Sequence, residues 1–160
     1  MRNLAQAWRD RSGTSLVETA IVLPFVLVLG FGVIEYGNAL YLHQLIETGV
    51  RDAARYLARH EDPLSYADEA KQLALTGSTT GDEDKRVPEW KDSDITITLL
   101  DFANPVDETT GERAYRGGDP IRTVRVSTDF SYAGLGSLNM LGLESALNIV
   151  VSHEERVIGE

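Results

Sequence analysis

Cysteine is absent from this chain of 160 residues, and proline is scarce, with only five residues. Without cysteine there is no disulfide framework, no thiolate nucleophile, no zinc ribbon and no iron–sulfur site. Basic residues are also few, with 15 Lys+Arg against 25 Asp+Glu, so the net charge is −10. Because nucleic-acid binding requires a basic surface that neutralises phosphates, this composition argues against a nucleic-acid partner.

Motifs for catalysis or metal binding are missing as well. The three histidines have no spaced Ser or carboxylate partners that would suggest a catalytic triad. Residues 134–138 lack the lysine of a phosphate loop and the second glycine of a nucleophile elbow. The acidic residues between 82 and 94 do not follow EF-hand spacing, which favours a solvated loop over a calcium site. The sequence therefore predicts a protein that is not an enzyme and holds no cofactor or metal.

Charge is distributed unevenly along the chain. Residues 1–60 carry 6 basic and 5 acidic side chains, a net charge of +1, whereas residues 61–160 carry 9 and 20, a net charge of −11. Within the first part, Thr19–Ile34 is a run of 16 residues without any charge, bounded by Glu18 and Glu35. Three arginines precede this run, at positions 2, 9 and 11. An apolar run with a basic flank is typical of a membrane segment.

A helix over residues 14–42 is long enough to cross a bilayer. The charge-free run alone covers about 24 Å, somewhat less than the roughly 30 Å hydrocarbon core. Continued to residue 42, the helix places Glu35 near the far interface, where we expect its carboxylate to reach water. Tyr36 and Tyr41 then fall in the interfacial aromatic belt. The basic flank predicts a cytoplasmic N-terminus.

Two other interpretations of the apolar run are open. In the first, Thr19–Gly32 is the apolar region of a cleaved secretory signal. No clear small-residue cleavage site follows it, however, and Glu18 interrupts the usual passage from basic to apolar residues. In the second, the run is a buried helix of a cytoplasmic protein. We favour the membrane helix over both.

Beyond residue 42 the pattern predicts one continuous helix, from about Ser15 to His60, that changes from apolar to amphipathic. Apolar residues there recur at three- and four-residue spacing: Leu45, Ile46, Val50, Ala53, Ala54, Leu57 and Ala58. Four residues are potential packing notches or weak points in the membrane half: Pro24, Gly30, Gly32 and Gly37. Membrane helices also tolerate proline and glycine without any special role.

The rest of the chain predicts a small α+β domain over residues 43–160, including the amphipathic half of the long helix. Asp62-Pro63 begins a short second helix that ends at Thr76-Gly77, and residues 78–94 have the composition of a surface loop. Three alternating segments follow, around Ile95–Leu99, Thr123–Thr128 and Leu147–Val151. Turn residues between them favour an antiparallel sheet, which the apolar stripe of the long helix is available to cover.

The segment from Arg11 to Thr19, RSGTSLVET, followed by an apolar run, resembles the processing site of class III prepilins. The resemblance implies that a prepilin peptidase removes a cytoplasmic leader, residues 1–13, by cutting between Gly13 and Thr14. Glu18 is then the fifth residue of the mature chain. A carboxylate at the edge of the hydrocarbon is costly, and the new ammonium group of Thr14 on a neighbouring subunit would neutralise it. One ion pair would thus set the registry of assembly.

A narrower resemblance is to the TadE-like family of the tight-adherence (Flp) pilus system. It rests on three strings: VETAIVLP from residue 17, GVIEYG from residue 32, and AARYLA from residue 53. Members of this family resemble minor pilins or pseudopilins. The resemblance implies a type IV pilin-like fold, in which a long N-terminal helix packs on a small antiparallel sheet.

The resulting functional hypothesis is a non-catalytic minor pilin that takes part in Flp pilus assembly. Its implied partners are other pilin-like subunits, the pilus-assembly machinery, the prepilin peptidase and the lipid bilayer. The implied location is the bacterial inner membrane, with a single pass, a cytoplasmic N-terminus and a periplasmic C-terminal domain. Two alternatives stay open: a membrane-anchored periplasmic module that binds a ligand or senses a signal, and a secreted periplasmic hydrolase.

Overall fold

A computed structural model of the chain describes residues 11–136, 138–143 and 146–158, without the side chains of residues 11, 12 and 141. The first ten residues of the predicted leader lie outside the described part. The chain divides into two compact units, one formed by Met1–Ala39 with Ala133–Ala146, the other by Leu40–Tyr132 with Leu147–Glu160. The N-terminal unit thus includes a segment from between two strands, and the predicted boundary of the membrane segment after residue 42 stays a prediction.

The N-terminal half of the chain forms one long α-helix, α1, Arg11–Leu57. The sequence predicted a continuous helix from about Ser15 to His60, and the structure confirms it within a few residues at each end. Pro24 lies inside α1. The chain turns at once beyond Leu57, where the His60 N–H donates to the Leu57 carbonyl at 3.0 Å.

Three antiparallel strands form the sheet of the second unit: β1, Ile95–Phe102; β2, Ile121–Tyr132; and β3, Leu147–Arg156. Their order is β1-β2-β3, so β2 is central. Val126 pairs with Ile97 on one side and with His153 on the other. All three predicted strands exist. β2 is about twice as long as predicted because the alternation of buried and exposed residues continues through Tyr132.

The amphipathic end of α1 packs on this sheet, so the predicted α+β, pilin-like fold is confirmed. The apolar stripe of the helix is fully buried at Ile46, Val50, Ala53, Ala54 and Leu57. Val124 and Val126 of the central strand are equally buried. Removing this much apolar surface from water, at about 25 cal/mol per Å², is the main source of stability for such a small domain.

The short second helix exists in two parts. Pro63–Tyr66 is a 3-10 turn, and α2, Ala67–Thr76, continues from it. Gly77 ends α2 in the left-handed conformation, with φ of 91°, which residues other than glycine rarely adopt. Asp62 precedes Pro63 as expected, but its carboxylate accepts a hydrogen bond from the Ser65 hydroxyl instead of a backbone N–H.

The prediction that residues 78–94 form only a surface loop is wrong. Val87 and Trp90 in this segment are fully buried. The Trp90 Nε1–H donates to Thr128 Oγ1 on β2 at 2.9 Å, and the Arg86 N–H donates to the Leu75 carbonyl at 2.8 Å. The sequence pattern did not predict this burial because polar and acidic residues surround Trp90, the largest side chain of the segment.

Candidate functional site

The membrane-type part of α1 exposes an apolar surface on all sides. Every residue from Gly13 to Gly30 is exposed. The large ones are among the most exposed of the chain, with 72% for Leu16, 68% for Phe25 and 70% for Leu29. Among the described residues, α1 is the one helix that is long and apolar enough to cross a membrane. A water-soluble monomer rarely leaves such a continuous apolar surface uncovered, so this segment requires lipid or protein around it.

The residues of the predicted processing and registry site lie at the start of α1. Gly13, Thr14 and Glu18 are all exposed. Thr14 and Glu18 are four residues apart and therefore share one face of the helix. Glu18 lies beside apolar residues of the same helix surface, which include Val22, Leu23 and Val26. The accessibility of Gly13 fits a cleavage site, and the exposure of Glu18 leaves its carboxylate open to a partner.

The glycines of the membrane segment do not serve packing within the chain. A Cβ added to Gly30, Gly32 or Gly37 would meet no atom within 4 Å. Pro24 cannot donate the helical hydrogen bond that the carbonyl of residue 20 would otherwise accept. Helix-packing notches toward another molecule and simple tolerance in a membrane helix both agree with this open surface.

Glu35 is in a different environment from the one expected. Its side chain is buried, with 3% of the residue exposed, and its Oε1 accepts a hydrogen bond from the Leu135 N–H at 2.5 Å. Gly134 and Gly136 flank Leu135 with φ of 84° and 79°, so this backbone geometry requires glycine on both sides. The expectation that the carboxylate reaches water is therefore wrong, because a loop from a distant part of the sequence covers it.

Two tyrosines mark the predicted outer interface of the membrane. Tyr36 is 63% exposed and Tyr41 58% exposed. An aromatic ring with a polar hydroxyl and no cover from its own chain suits the headgroup region. The interfacial position of Glu35, Tyr36 and Tyr41 stays a prediction.

Basic side chains along the next part of α1 pair with acidic ones. Arg51 Nη2 lies 2.5 Å from Glu47 Oε1, and Arg55 Nε lies 3.4 Å from Glu155 Oε1 on β3. Both arginines therefore have an acidic partner within the chain.

The acidic segment near residue 92 also takes part in contacts within the domain. Asp92 Oδ1 lies 3.4 Å from Lys71 Nζ, and Asp94 Oδ2 accepts the Lys91 N–H at 3.0 Å. In the described part of the chain, no group of three or more His, Asp or Glu side chains is arranged to hold a metal ion. These carboxylates serve as ion-pair and turn partners.

Comparison with known families gives a match within α1. Residues 13–55 match the family model described as TadE-like protein. The chain carries a TadE-like segment. Over these residues, the match confirms the resemblance to the TadE-like family found in the sequence. Searches of curated proteins and of solved structures found no match.

The TadE-like segment ends at residue 55, two residues before the end of α1. It includes Gly13, Glu18, Pro24 and Glu35, but the sheet lies beyond it. The sequence did not predict two features of the structure, the burial of Trp90 and the contact between Glu35 and Leu135. Trp90 and its partner Thr128 both lie outside the TadE-like segment, and so does Leu135. A glutamate next to an apolar run was visible in the sequence, but nothing local indicated which distant backbone group would bind it.

Proposed function

We propose that this protein is a minor pilin, or pseudopilin, that takes part in assembly of a Flp pilus. In this proposal α1 anchors it in the inner membrane with the N-terminus in the cytoplasm and residues 43–160 in the periplasm. It catalyses no reaction. The match of residues 13–55 to the TadE-like family, on a helix whose apolar surface its own chain leaves open, is the observation that carries the proposal.

The proposed mechanism of assembly rests on Glu18. Cleavage after Gly13 would give Thr14 a free ammonium group at the cytoplasmic edge of the membrane. A carboxylate near hydrocarbon is stabilised by an adjacent positive charge. The exposed Glu18 of one subunit would therefore pair with Thr14 of its neighbour, while the open surface around Gly30 and Gly32 would permit close approach of the helices.

Replacement of Gly13 by leucine tests the processing step. In cells that contain the pilus-assembly genes, the natural chain should be recovered from membranes starting at Thr14, and the G13L chain should retain Met1–Gly13. Intact-protein mass spectrometry measures the difference. Gly118→Leu is the matched control, because a Cβ there meets no atom within 4 Å and Gly118 is far from the leader in sequence. Equal masses for the natural and G13L chains would contradict processing at this site.

The registry role of Glu18 is tested by Glu18→Ala. This variant should insert into the membrane normally but lose copurification with pilin-like partner subunits after mild detergent extraction. Glu47→Ala, which removes a carboxylate on the same helix beyond the predicted membrane segment, is the control and should retain the partners. Unchanged copurification of the Glu18→Ala chain would overturn this role.

The N-terminal residue of the mature chain separates the proposal from its two competitors. A start at Thr14 supports the pilin route. A start at Met1 supports a plain membrane-anchored binding module, and a start beyond residue 36 supports a secreted protein such as a hydrolase. N-terminal sequencing of the membrane and soluble fractions distinguishes the three.

A further inference from the structure

An apolar turn shares the N-terminal unit with the membrane-type part of α1. We define the apolar turn by the described residues 134–136 and 138–143. The sequence around it, from Phe130 to Leu143, contains no charged residue. Three large apolar side chains of the turn are exposed: Leu135 at 54%, Met140 at 86% and Leu143 at 44%. In a chain with a charged content of 25%, such an uncharged and apolar surface segment is unusual.

Four backbone N–H groups of the apolar turn have hydrogen-bond acceptors within the chain. The Met140 N–H donates to the Gly136 carbonyl, Gly142 to Asn139, and Leu143 to Leu138, at 3.0 to 3.2 Å. The Leu135 N–H is bound by Glu35. An ordinary polar loop leaves such groups to water. Because an unsatisfied backbone group costs several kcal/mol in hydrocarbon, internal pairing is what a lipid-exposed turn requires.

The hydrogen bond to Glu35 fixes the level of the apolar turn along α1. Glu18 and Glu35 are 17 residues apart on one helix, which corresponds to about 25 Å along its axis. With Glu18 at the cytoplasmic edge of a hydrocarbon core of roughly 30 Å, Glu35 lies at or slightly below the opposite edge. The apolar turn is therefore held where the hydrocarbon meets the headgroups of the outer leaflet.

We propose that the apolar turn inserts into the outer leaflet of the bilayer beside α1, with lipid covering Leu135, Met140 and Leu143. The proposal rests on the membrane anchoring of α1 proposed above. The turn and the helix then form one continuous lipid-facing surface, and the Leu135 N–H takes the place of water as a donor to the Glu35 carboxylate. The membrane contact of the protein thus has two points, which restricts tilting of the N-terminal unit relative to the membrane normal.

Single-cysteine labelling tests this insertion directly, since the natural chain contains no cysteine that would interfere. Met140→Cys, in the full chain, is labelled with the environment-sensitive fluorophore NBD and reconstituted into phosphatidylcholine–phosphatidylglycerol vesicles. Met140 is 86% exposed, so the substitution leaves the core intact. Emission should shift to the blue, and lipids that carry a nitroxide near the headgroup should quench it more strongly than lipids with a nitroxide at the acyl-chain end.

Two further labelled variants distinguish failure of the membrane anchor from failure of the apolar turn to insert. Val28→Cys lies in the centre of the charge-free run and should be quenched most strongly by the deep nitroxide. Val106→Cys is an exposed apolar position, 48% exposed, in a different loop and should be quenched by neither lipid. Absence of quenching at residue 28 would overturn the membrane anchor itself. Quenching at residue 28 without quenching at residue 140 would overturn only the insertion of the apolar turn.

A second copy of the chain is the other occupant that could cover the turn. In that case, emission from residue 140 would shift to the blue without quenching by either nitroxide lipid, and the shift would disappear when the vesicles are diluted with excess lipid. That result would also overturn the proposal. A blue shift that is independent of the protein-to-lipid ratio and is quenched by the shallow nitroxide supports it.

Discussion

At the scale of single residues, Gly49 illustrates how position within one helix changes the effect of a side chain. A Cβ on Gly49 would lie 2.4 Å from the Ala74 carbonyl oxygen and 3.0 Å from ring carbons of Trp90. A Cβ on Gly37, in the same helix, would meet nothing within 4 Å. Gly49 is thus a point of close approach between α1, α2 and residues 78–94, which we call the Trp90 segment, whereas Gly37 is not in such a contact.

We therefore expect Gly49→Ala to destabilise the domain, although alanine normally favours a helix by about 1 kcal/mol over glycine. The clash should lower the free energy of unfolding by a net amount of about 1–3 kcal/mol, as in other overpacked cores. The cost is expected because the added Cβ meets a backbone atom, which cannot rotate away. Urea denaturation of the full chain in detergent, followed by tryptophan fluorescence, measures the change. Gly37→Ala is the control, and an equal effect of both substitutions would contradict the role of the close contact.

Asp107 gives a pH-dependent prediction at the same scale. Backbone N–H groups of Thr110 and Thr109 donate to its Oδ1 at 2.9 and 2.8 Å, and they lower the pKa of Asp107 below its ordinary value of 3.8. A carboxyl group with a lowered pKa in the folded state supports its turn above pH 3.8 and loses that contribution as the pH falls through the lowered pKa. The turn should therefore hold at neutral pH and loosen only in stronger acid.

Amide NMR signals of Thr109 and Thr110 should report this loosening. We expect both signals to move together with a midpoint below pH 3.8. Asp107→Asn retains an oxygen acceptor but does not titrate, so its signals should stay constant over the same range. A midpoint at or above pH 3.8 would show that the two backbone donors do not stabilise the charged carboxylate.

At the scale of elements, two ion pairs should differ in their effect on stability. Arg86 Nη2 lies 2.8 Å from Asp52 Oδ2, and its side chain is 19% exposed. Arg125 and Glu154 also pair, across β2 and β3, but both side chains are more than 40% exposed. The first pair joins the Trp90 segment to α1, whereas the second lies between strands that are already paired by their backbones.

Arg86→Met should lower the free energy of unfolding by about 1.5–3 kcal/mol, since it leaves a partly buried aspartate without its charged partner. Arg125→Met should lower it by less than about 1 kcal/mol, as is usual for an exposed pair. Chemical denaturation at low and at high salt measures both effects. Equal losses for the two variants would indicate that the Trp90 segment is not held by Arg86.

The same elements show what local sequence can predict. β1, β2 and β3 were found because alternating residues such as Val124 and Val126 repeat the pattern that a half-buried strand requires. The Trp90 segment was missed because its apolar residues are isolated among acidic ones and have no period. Its structure depends on a hydrogen bond to Thr128, 38 residues away. The contact between Glu35 and Leu135 spans 100 residues and was equally out of reach of a local pattern.

At the scale of the whole molecule, retention in the membrane should depend on the apolar part of α1. Val26→Arg places a charge in the middle of the uncharged run, at a cost of about 2.5–3.5 kcal/mol for a membrane helix. We expect this variant to be released in part from membranes by alkaline carbonate, whereas the natural chain stays in the pellet. Val106→Arg is the matched control. Full retention of the Val26→Arg chain would contradict a membrane-spanning α1.

The position of the apolar turn between β2 and β3 has a consequence for biosynthesis. Glu35 leaves the ribosome 100 residues before Leu135 does. At a translation rate of roughly 5–20 residues per second, this corresponds to a delay of about 5–20 s. During that interval the helix meets the translocation machinery while the amide that later binds its carboxylate has not yet been synthesised. The nascent chain thus passes through a stage in which this glutamate lacks the Leu135 amide as a hydrogen-bond donor.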